Sequence, residues 1–301
     1  MVSNSDSAEG MRGYILIALV SIMWGTMGIL QTLSYAYGIR PETLIALRLL
    51  ISSATLLPAL AIINRGFLRI QKRDLLPFVG FGVVAVAFQR VAYAYGVYFA
   101  TPTITAILFY TYPVFVTISA WVFLKERITW REVSAIALTF LGVALVVRVY
   151  DPSSLGTDLL GIFFGFGSSL CFVLYFMMTR QFRTRYTGWT VTMYAEGIGA
   201  LTLFPFVYVS VSEIITYPLQ LWLLILVIAW ILSLLGYLLY SYSLKYVKAS
   251  KGSILSLLEP LSAAVFSAFL LGESLQSLQI VGIALALTGV ILLFQIRRAP
   301  T

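Results

Sequence analysis

Apolar runs of about twenty residues alternate with short polar punctuation along the whole chain. Ten such runs fall at about 14–34, 43–63, 75–97, 102–124, 132–148, 158–179, 190–210, 219–243, 252–271 and 277–296. Each is near the ~20 residues that carry a helix across ~30 Å of hydrocarbon at 1.5 Å per residue. Between them stand Arg40-Pro41-Glu42, Arg65 to Asp74, Thr101-Pro102, Lys125-Glu126-Arg127, Asp151 to Ser154, Thr184 to Gly188, Tyr217-Pro218, Lys245 to Lys251 and Gly272 to Ser277. Connections this short hold no further domain. The pattern predicts an all-α integral membrane protein of ten transmembrane helices. Residues 1–11 are polar and lack the basic start and small-residue cleavage site of a signal peptide, so the first run is expected to stay in place.

Composition sharpens this reading. Of 301 residues, 60% are hydrophobic and 11% charged, against roughly 45–50% and ~25% in soluble domains. So few charges cannot cover a soluble surface, which excludes a soluble enzyme, a nucleic-acid binder and a secreted disulfide scaffold. One cysteine makes no internal disulfide, and the absence of histidine removes the commonest metal ligand and general base. The sequence has no Walker loop, and the glycines from Gly161 to Gly167 lie inside an apolar run. No cofactor or metal is called for. The expected partners are a small-molecule substrate and the lipid bilayer; a monomer satisfies this reading, and nucleic acid has no part in it.

The formal charge of +8 is distributed by position. One side of the predicted membrane collects Arg12, Arg65, Arg69, Lys72, Arg73, Lys125, Arg127, Arg131, Arg180, Arg183, Arg185, Lys245, Lys248, Lys251, Arg297 and Arg298; the other has Arg40 and Arg148. Sixteen against two predicts an inner-membrane protein with both termini in the cytoplasm.

The chain also repeats. Residues 101–148 align without gaps on 248–295 at an offset of 147, with eleven identities that include Ile107/Ile254, Pro113/Pro260, Leu124/Leu271, Glu126/Glu273, Gly142/Gly289 and Val143/Val290. Apolar composition inflates chance identity, but Pro, Glu and Gly falling in one frame are harder to dismiss. Shifting by one residue extends the match backward, Gly13 onto Gly161 and Arg48 onto Glu196. The predicted halves are 1–148 and 149–301. Five helices each is an odd number, so the halves should cross in opposite senses, as in many secondary transporters. Lys125-Glu126-Arg127 is accordingly basic, whereas Gly272-Glu273-Ser274 has lost every positive charge.

With Trp24-Gly25, Arg48, the block from Pro113 through Leu124, Glu126 and Gly142 to Val143, and its second copy from Pro260 to Val290, the sequence resembles the ten-helix metabolite exporters of the drug/metabolite transporter superfamily, the EamA type. The resemblance covers nearly the whole chain. It implies two inverted five-helix halves around a central cavity, moving small organic metabolites, amino acids among them. Cys171-Phe172-Val173 replaces the second Trp-Gly, so no role is carried onto those positions.

Four ionisable residues lie within the spans: Arg48, Arg90, Glu196 and Glu259. Each costs at least ~2.5–3.5 kcal/mol at bilayer depth and needs a reason. Glu259 falls near mid-depth, with Pro260 after it and Tyr112-Pro113 as its repeat counterpart; it is a substrate-amine or proton site, or else a neutral acid bonded within the bundle. Arg90, beside Gln89 in the outer half of its helix, either snorkels to headgroups or faces a vestibule to hold a carboxylate. Arg48 reads as structural. Its counterpart Glu196 falls in the inner half, so no ion pair between those two is implied. Trp24, Tyr93, Tyr110, Tyr112, Tyr175, Tyr237 and Tyr240 sit deep, and so many hydroxyls point to a wet or ligand-filled cavity. Tyr14, Tyr35, Tyr37, Tyr150, Tyr186, Trp189 and Tyr217 read as interfacial belt.

The function expected is a secondary transporter exporting small organic metabolites, most of all amino acids with aromatic or other apolar side chains, driven by a gradient or by exchange. The alternatives are an intramembrane enzyme or lipid-handling protein, against which the missing His and paired-Asp motifs argue, and a channel, which saturable counterflow would exclude. A drug carrier or exchanger remains open within the transporter class.

Overall fold

The computed structural model describes residues 4–100, 102–151, 159–271 and 275–294. Ser154, Gly272, Glu273, Ser274, Arg297 and Arg298, used in the sequence reading, lie outside the described residues. The described chain is a helical bundle: α1 (Asn4–Trp24, resuming as Met27–Tyr35), α2 (Pro41–Ile63), α3 (Leu75–Gly80, Phe81–Phe88 and Gln89–Phe99, end to end), α4 (Pro102–Phe109, then Tyr112–Leu124), α5 (Trp130–Val146), α6 (Leu159–Phe182), α7 (Gly188–Val209), α8 (Leu219–Val227, Ile228–Leu235 and Gly236–Ser243, end to end), α9 (Ala249–Leu255, then Leu258–Leu271) and α10 (Ser277–Phe294). Local chemistry fixes the ends. Pro41 opens α2, where its missing N–H costs nothing. Thr129 and Glu132 cap α5 reciprocally, Glu132 N–H donating to the Thr129 hydroxyl at 3.3 Å and Thr129 N–H to the Glu132 carboxylate at 2.8 Å.

Eight of the helices are long and apolar enough to cross a membrane; α5, at 17 residues, and α10 are shorter. A helix of 17 residues is about 26 Å long, a little under the hydrocarbon thickness. These two are repeat counterparts and pack on each other through glycines. A Cβ on Gly142 would lie 2.5 Å from the Ala286 nitrogen and from the Gly282 oxygen; one on Gly289 would lie 2.8 Å from the Ala135 oxygen and overlap the Thr139 hydroxyl. Close backbone approach through small residues replaces the hydrophobic driving force that lipid cannot supply. Large apolar side chains such as Ile62, Phe123, Leu159 and Phe269 stay exposed on the outside, as a bilayer allows. Inside, hydroxyls return to the carbonyl one turn back, as in Ser21 to Ile17 and Thr139 to Ala135, both at 2.7 Å.

The offset of 147 seen in the sequence is repeated in the backbone. Wide π-turns occupy Phe81–Phe88 in α3 and Ile228–Leu235 in α8. The interruptions after Phe109 in α4 and Leu255 in α9 match to within a residue. One pair departs from the pattern: α1 breaks after Trp24, whereas α6 runs unbroken through Phe172. The π-turn carbonyls accept side chains from other helices or turns. Trp24 Nε1 donates to the Leu232 oxygen at 2.8 Å, Ser52 Oγ to Ala229 at 2.8 Å, and Arg90 Nη1 to Val86 at 3.0 Å.

Candidate functional site

A cavity of about 400 Å³ lies at the centre, lined from α1, α2, α3, α4, α6, α8 and α9. It runs from Glu259, Tyr110 and Phe172 in the interior to Thr32, Tyr35 and Pro41 beside the α1–α2 connection. The break in α9 explains the placement of Glu259. It falls in the first turn of the second segment, where unbonded N–H groups and the helix dipole favour a carboxylate. Among the described residues this carboxylate makes no ion pair. Pro260, next in line, sits where a helix needs no N–H.

Of the residues that the sequence singles out, Trp24, Gln89, Arg90, Tyr93, Tyr110, Tyr237 and Glu259 line the cavity, and so does Arg48. Tyr112, Tyr175 and Tyr240 do not; they are buried beneath it. The Tyr112 hydroxyl donates to the Ser253 oxygen at 3.4 Å, Tyr240 shares a 2.9 Å hydrogen bond with the Ser256 hydroxyl, and the Tyr175 ring stacks on Phe172 at 5.6 Å. Pro113 and Pro260 are buried and do not reach the cavity wall.

Arg90 does not snorkel. Its side chain is 4% exposed and pairs with Glu196, 1% exposed, at 2.9 Å; its guanidinium carbon also lies 4.7 Å from the Tyr237 ring centroid. Counting residues along each helix put these partners at different depths. An arginine on a helix leans toward its own N-terminus, and Arg90 folds back over the π-turn as far as Val86, which brings it down to Glu196. Two buried charges are tolerated because they are paired and Arg90 also donates to Val86, with Arg90 Nε and Glu196 Oε2 left without a partner among the described residues.

Arg48 is the contrasting case. It is 5% exposed, yet its only side-chain hydrogen bond among the described residues runs from Nη1 to the Met27 sulfur at 3.4 Å, its Nε has no partner, and no carboxylate lies within ion-pair distance.

Sequence reasoning missed the outer wall from α1. Met27, Gln31 and Tyr35 all line the cavity. Their four-residue spacing, with Gln31 polar inside an apolar run, was the available signal; Tyr35 reads from sequence as interfacial belt instead. At the far end of the bundle the chain is tied shut. Glu126 pairs with Arg180 at 2.8 Å and accepts from Ala249 N–H and the Ser250 hydroxyl, each at 3.2 Å. Asp74 pairs with Arg185 at 2.8 Å and accepts the Tyr186 hydroxyl, whose pKa burial raises first and that carboxylate raises further. Among the described residues no cluster of His, Cys, Asp and Glu could hold a metal ion.

The comparisons agree with this architecture. The EamA-like transporter family matches twice, over residues 11–148 and 159–295. The chain is 28% identical to an uncharacterized transporter of Bacillus subtilis, covering 95% of both chains. It is 26% identical to a probable terminal-alkyne amino-acid exporter of Streptantibioticus cattleyicolor, over 82% of this chain and 81% of that one. A crystal structure with 16% identity superposes at a TM-score of 0.76, covering 98% of this chain and 99% of the other, which shows the fold alone. The chain is a transporter and not an enzyme: it belongs to the EamA-like transporter family of the drug/metabolite transporter superfamily.

Proposed function

We propose that this transporter exports small zwitterionic metabolites, foremost amino acids with aromatic or other apolar side chains, from the cell across its inner membrane. The observation that carries this reading is a central cavity walled by Trp24, Tyr93, Phe109, Tyr110, Phe172 and Tyr237, with the Glu259 carboxylate on its wall and no cation among the described residues paired to it. Rings supply apolar contact and Glu259 receives the amine, with Gln89 beside the path. The amino-acid export named for the Streptantibioticus relative supports the substrate class. Tyr112, Tyr175 and Tyr240 form the floor that parts when the far end opens, and the buried Arg90–Glu196 pair holds α3 against α7.

The moving units are the inverted halves 1–148 and 149–301. Two ion pairs cross between them at one end, Glu126–Arg180 and Asp74–Arg185, and one more exposed pair, Arg40–Glu213, crosses at the other; the first end carries most of the lysines and arginines. With that first end cytoplasmic, as are both termini, the mouth at Tyr35 and Pro41 faces outward. Cys171 is buried, so introduced cysteines report orientation cleanly. Arg69→Cys should resist a membrane-impermeant thiol reagent in intact cells while Thr216→Cys reacts; the reverse result rejects the orientation. For the function itself, Glu259→Gln should fold as wild type and lose most transport. Normal transport by that variant would make the carboxylate structural.

A further inference from the structure

We infer that Arg48, and not Arg90, anchors the anionic group of the transported molecule. The inference rests on the reading of the cavity as a substrate site and names the group that holds one end of the ligand. Four ionisable side chains lie deep in the bundle, and Arg90 and Glu196 cancel each other at 2.9 Å. What remains is Arg48 and Glu259, which line the same cavity without forming an ion pair. A molecule carrying both a carboxylate and an amine satisfies both walls, whereas an amine alone leaves the guanidinium buried without a counter-charge.

A buried structural arginine in this same molecule looks different. Arg183 donates to the Ser241 oxygen at 3.0 Å and the Tyr186 oxygen at 2.7 Å. Arg48 has five donors and touches one thioether, a weak acceptor. Its Nε is buried and has no partner among the described residues; the same is true of Arg90 Nε, but the other nitrogens of Arg90 reach Val86 and Glu196. A planar fork of donors that meets only a thioether among the described residues, on the wall of a cavity, is suited to a carboxylate, which it meets with two parallel hydrogen bonds. The cost of leaving it unpaired falls on the empty protein, and the ligand relieves it.

The test uses the full chain, purified into lipid nanodiscs, with L-phenylalanine, L-phenylalaninamide and 3-phenylpropionate as probes, the last two lacking the carboxylate and the amine respectively. Wild type should bind phenylalanine best and the amide poorly. Arg48→Gln should erase the preference for phenylalanine over its amide, weakening phenylalanine about tenfold to hundredfold. Without ligand, Arg48→Gln should melt at or above the wild-type temperature, because it removes an unpaired buried charge. Arg90→Gln should melt lower, because it orphans Glu196. A retained preference for the carboxylate in Arg48→Gln, or a ligand-free melting temperature that falls as far as that of Arg90→Gln, overturns the assignment. If wild type ignores all three probes, the amino-acid reading fails separately. The anchor is then judged with acetate: stabilisation of wild type that is lost in Arg48→Gln supports it, and equal behaviour of the two proteins overturns it.

Discussion

In residues 1–148 the deep ionisable side chains are Arg48 and Arg90; in residues 149–301 they are Glu196 and Glu259. The backbones of the two halves share their irregularities: π-turns in α3 and α8, and interruptions in α4 and α9, at one offset. Their charges are opposite. Arg90 and Tyr237 occupy equivalent positions in the two halves and meet face to face across the centre, a cation against a ring that carries no charge. The duplicated frame therefore supplies a place to break helices and face a cavity, and the divergence of side chains gives that cavity a positive and a negative wall. A zwitterion is the ligand proposed for it.

The sharpest way to break this comparison is to remove one charge of the buried pair, Arg90–Glu196, that joins α3 to α7. Arg90→Leu or Glu196→Leu alone should cost about 3–5 kcal/mol, since each leaves a buried uncompensated charge. The double variant should recover much of that loss, as read from thermal melting in detergent; additive losses would show that the pair is not coupled. A smaller effect is expected where the halves pack alike. Gly142→Leu and Gly289→Leu, equivalent positions on facing helices, should each destabilise by about 1–3 kcal/mol through overpacking, and a large difference between them would deny that α5 and α10 share one kind of contact. Smallest is Trp24→Phe, which removes the indole donor to the Leu232 carbonyl and should cost about 1 kcal/mol. Phe172→Leu, at the equivalent position, should also destabilise, but through lost ring packing against Phe109, Tyr112 and Tyr175 and with no hydrogen bond involved.

The ten helices and the offset of 147 were legible in the sequence, because hydropathy and the positions of proline and glycine are local signals; eight of those helices are long and apolar enough to cross a membrane. Glu259 was legible for the same reason, as a carboxylate before a proline inside an apolar run. The fate of Arg90 was not. It depends on a side chain that leans back over a π-turn to a helix more than a hundred residues later, and residue counting at 1.5 Å per residue has no term for either effect. The surroundings of Arg48 were not legible either, since its one side-chain partner among the described residues is the Met27 thioether of another helix. A family-pattern arginine reads as structural, and only the three-dimensional neighbours show that carbonyls and acids do not satisfy it. The α1 wall of Met27, Gln31 and Tyr35 was half visible, since its periodicity was present but the helix break that turns it toward the cavity was not.

Counterflow tests the central claim most directly. Proteoliposomes holding the purified protein and loaded with unlabelled L-phenylalanine should accumulate external labelled phenylalanine saturably. Vesicles loaded with buffer alone should not, and vesicles carrying Glu259→Gln should show little uptake under either load. Labelled 3-phenylpropionate should exchange poorly, because it offers nothing to Glu259. Equal exchange of both compounds, or trans-stimulated uptake of phenylalanine that survives intact in Glu259→Gln, would contradict the account of a two-walled cavity for zwitterions.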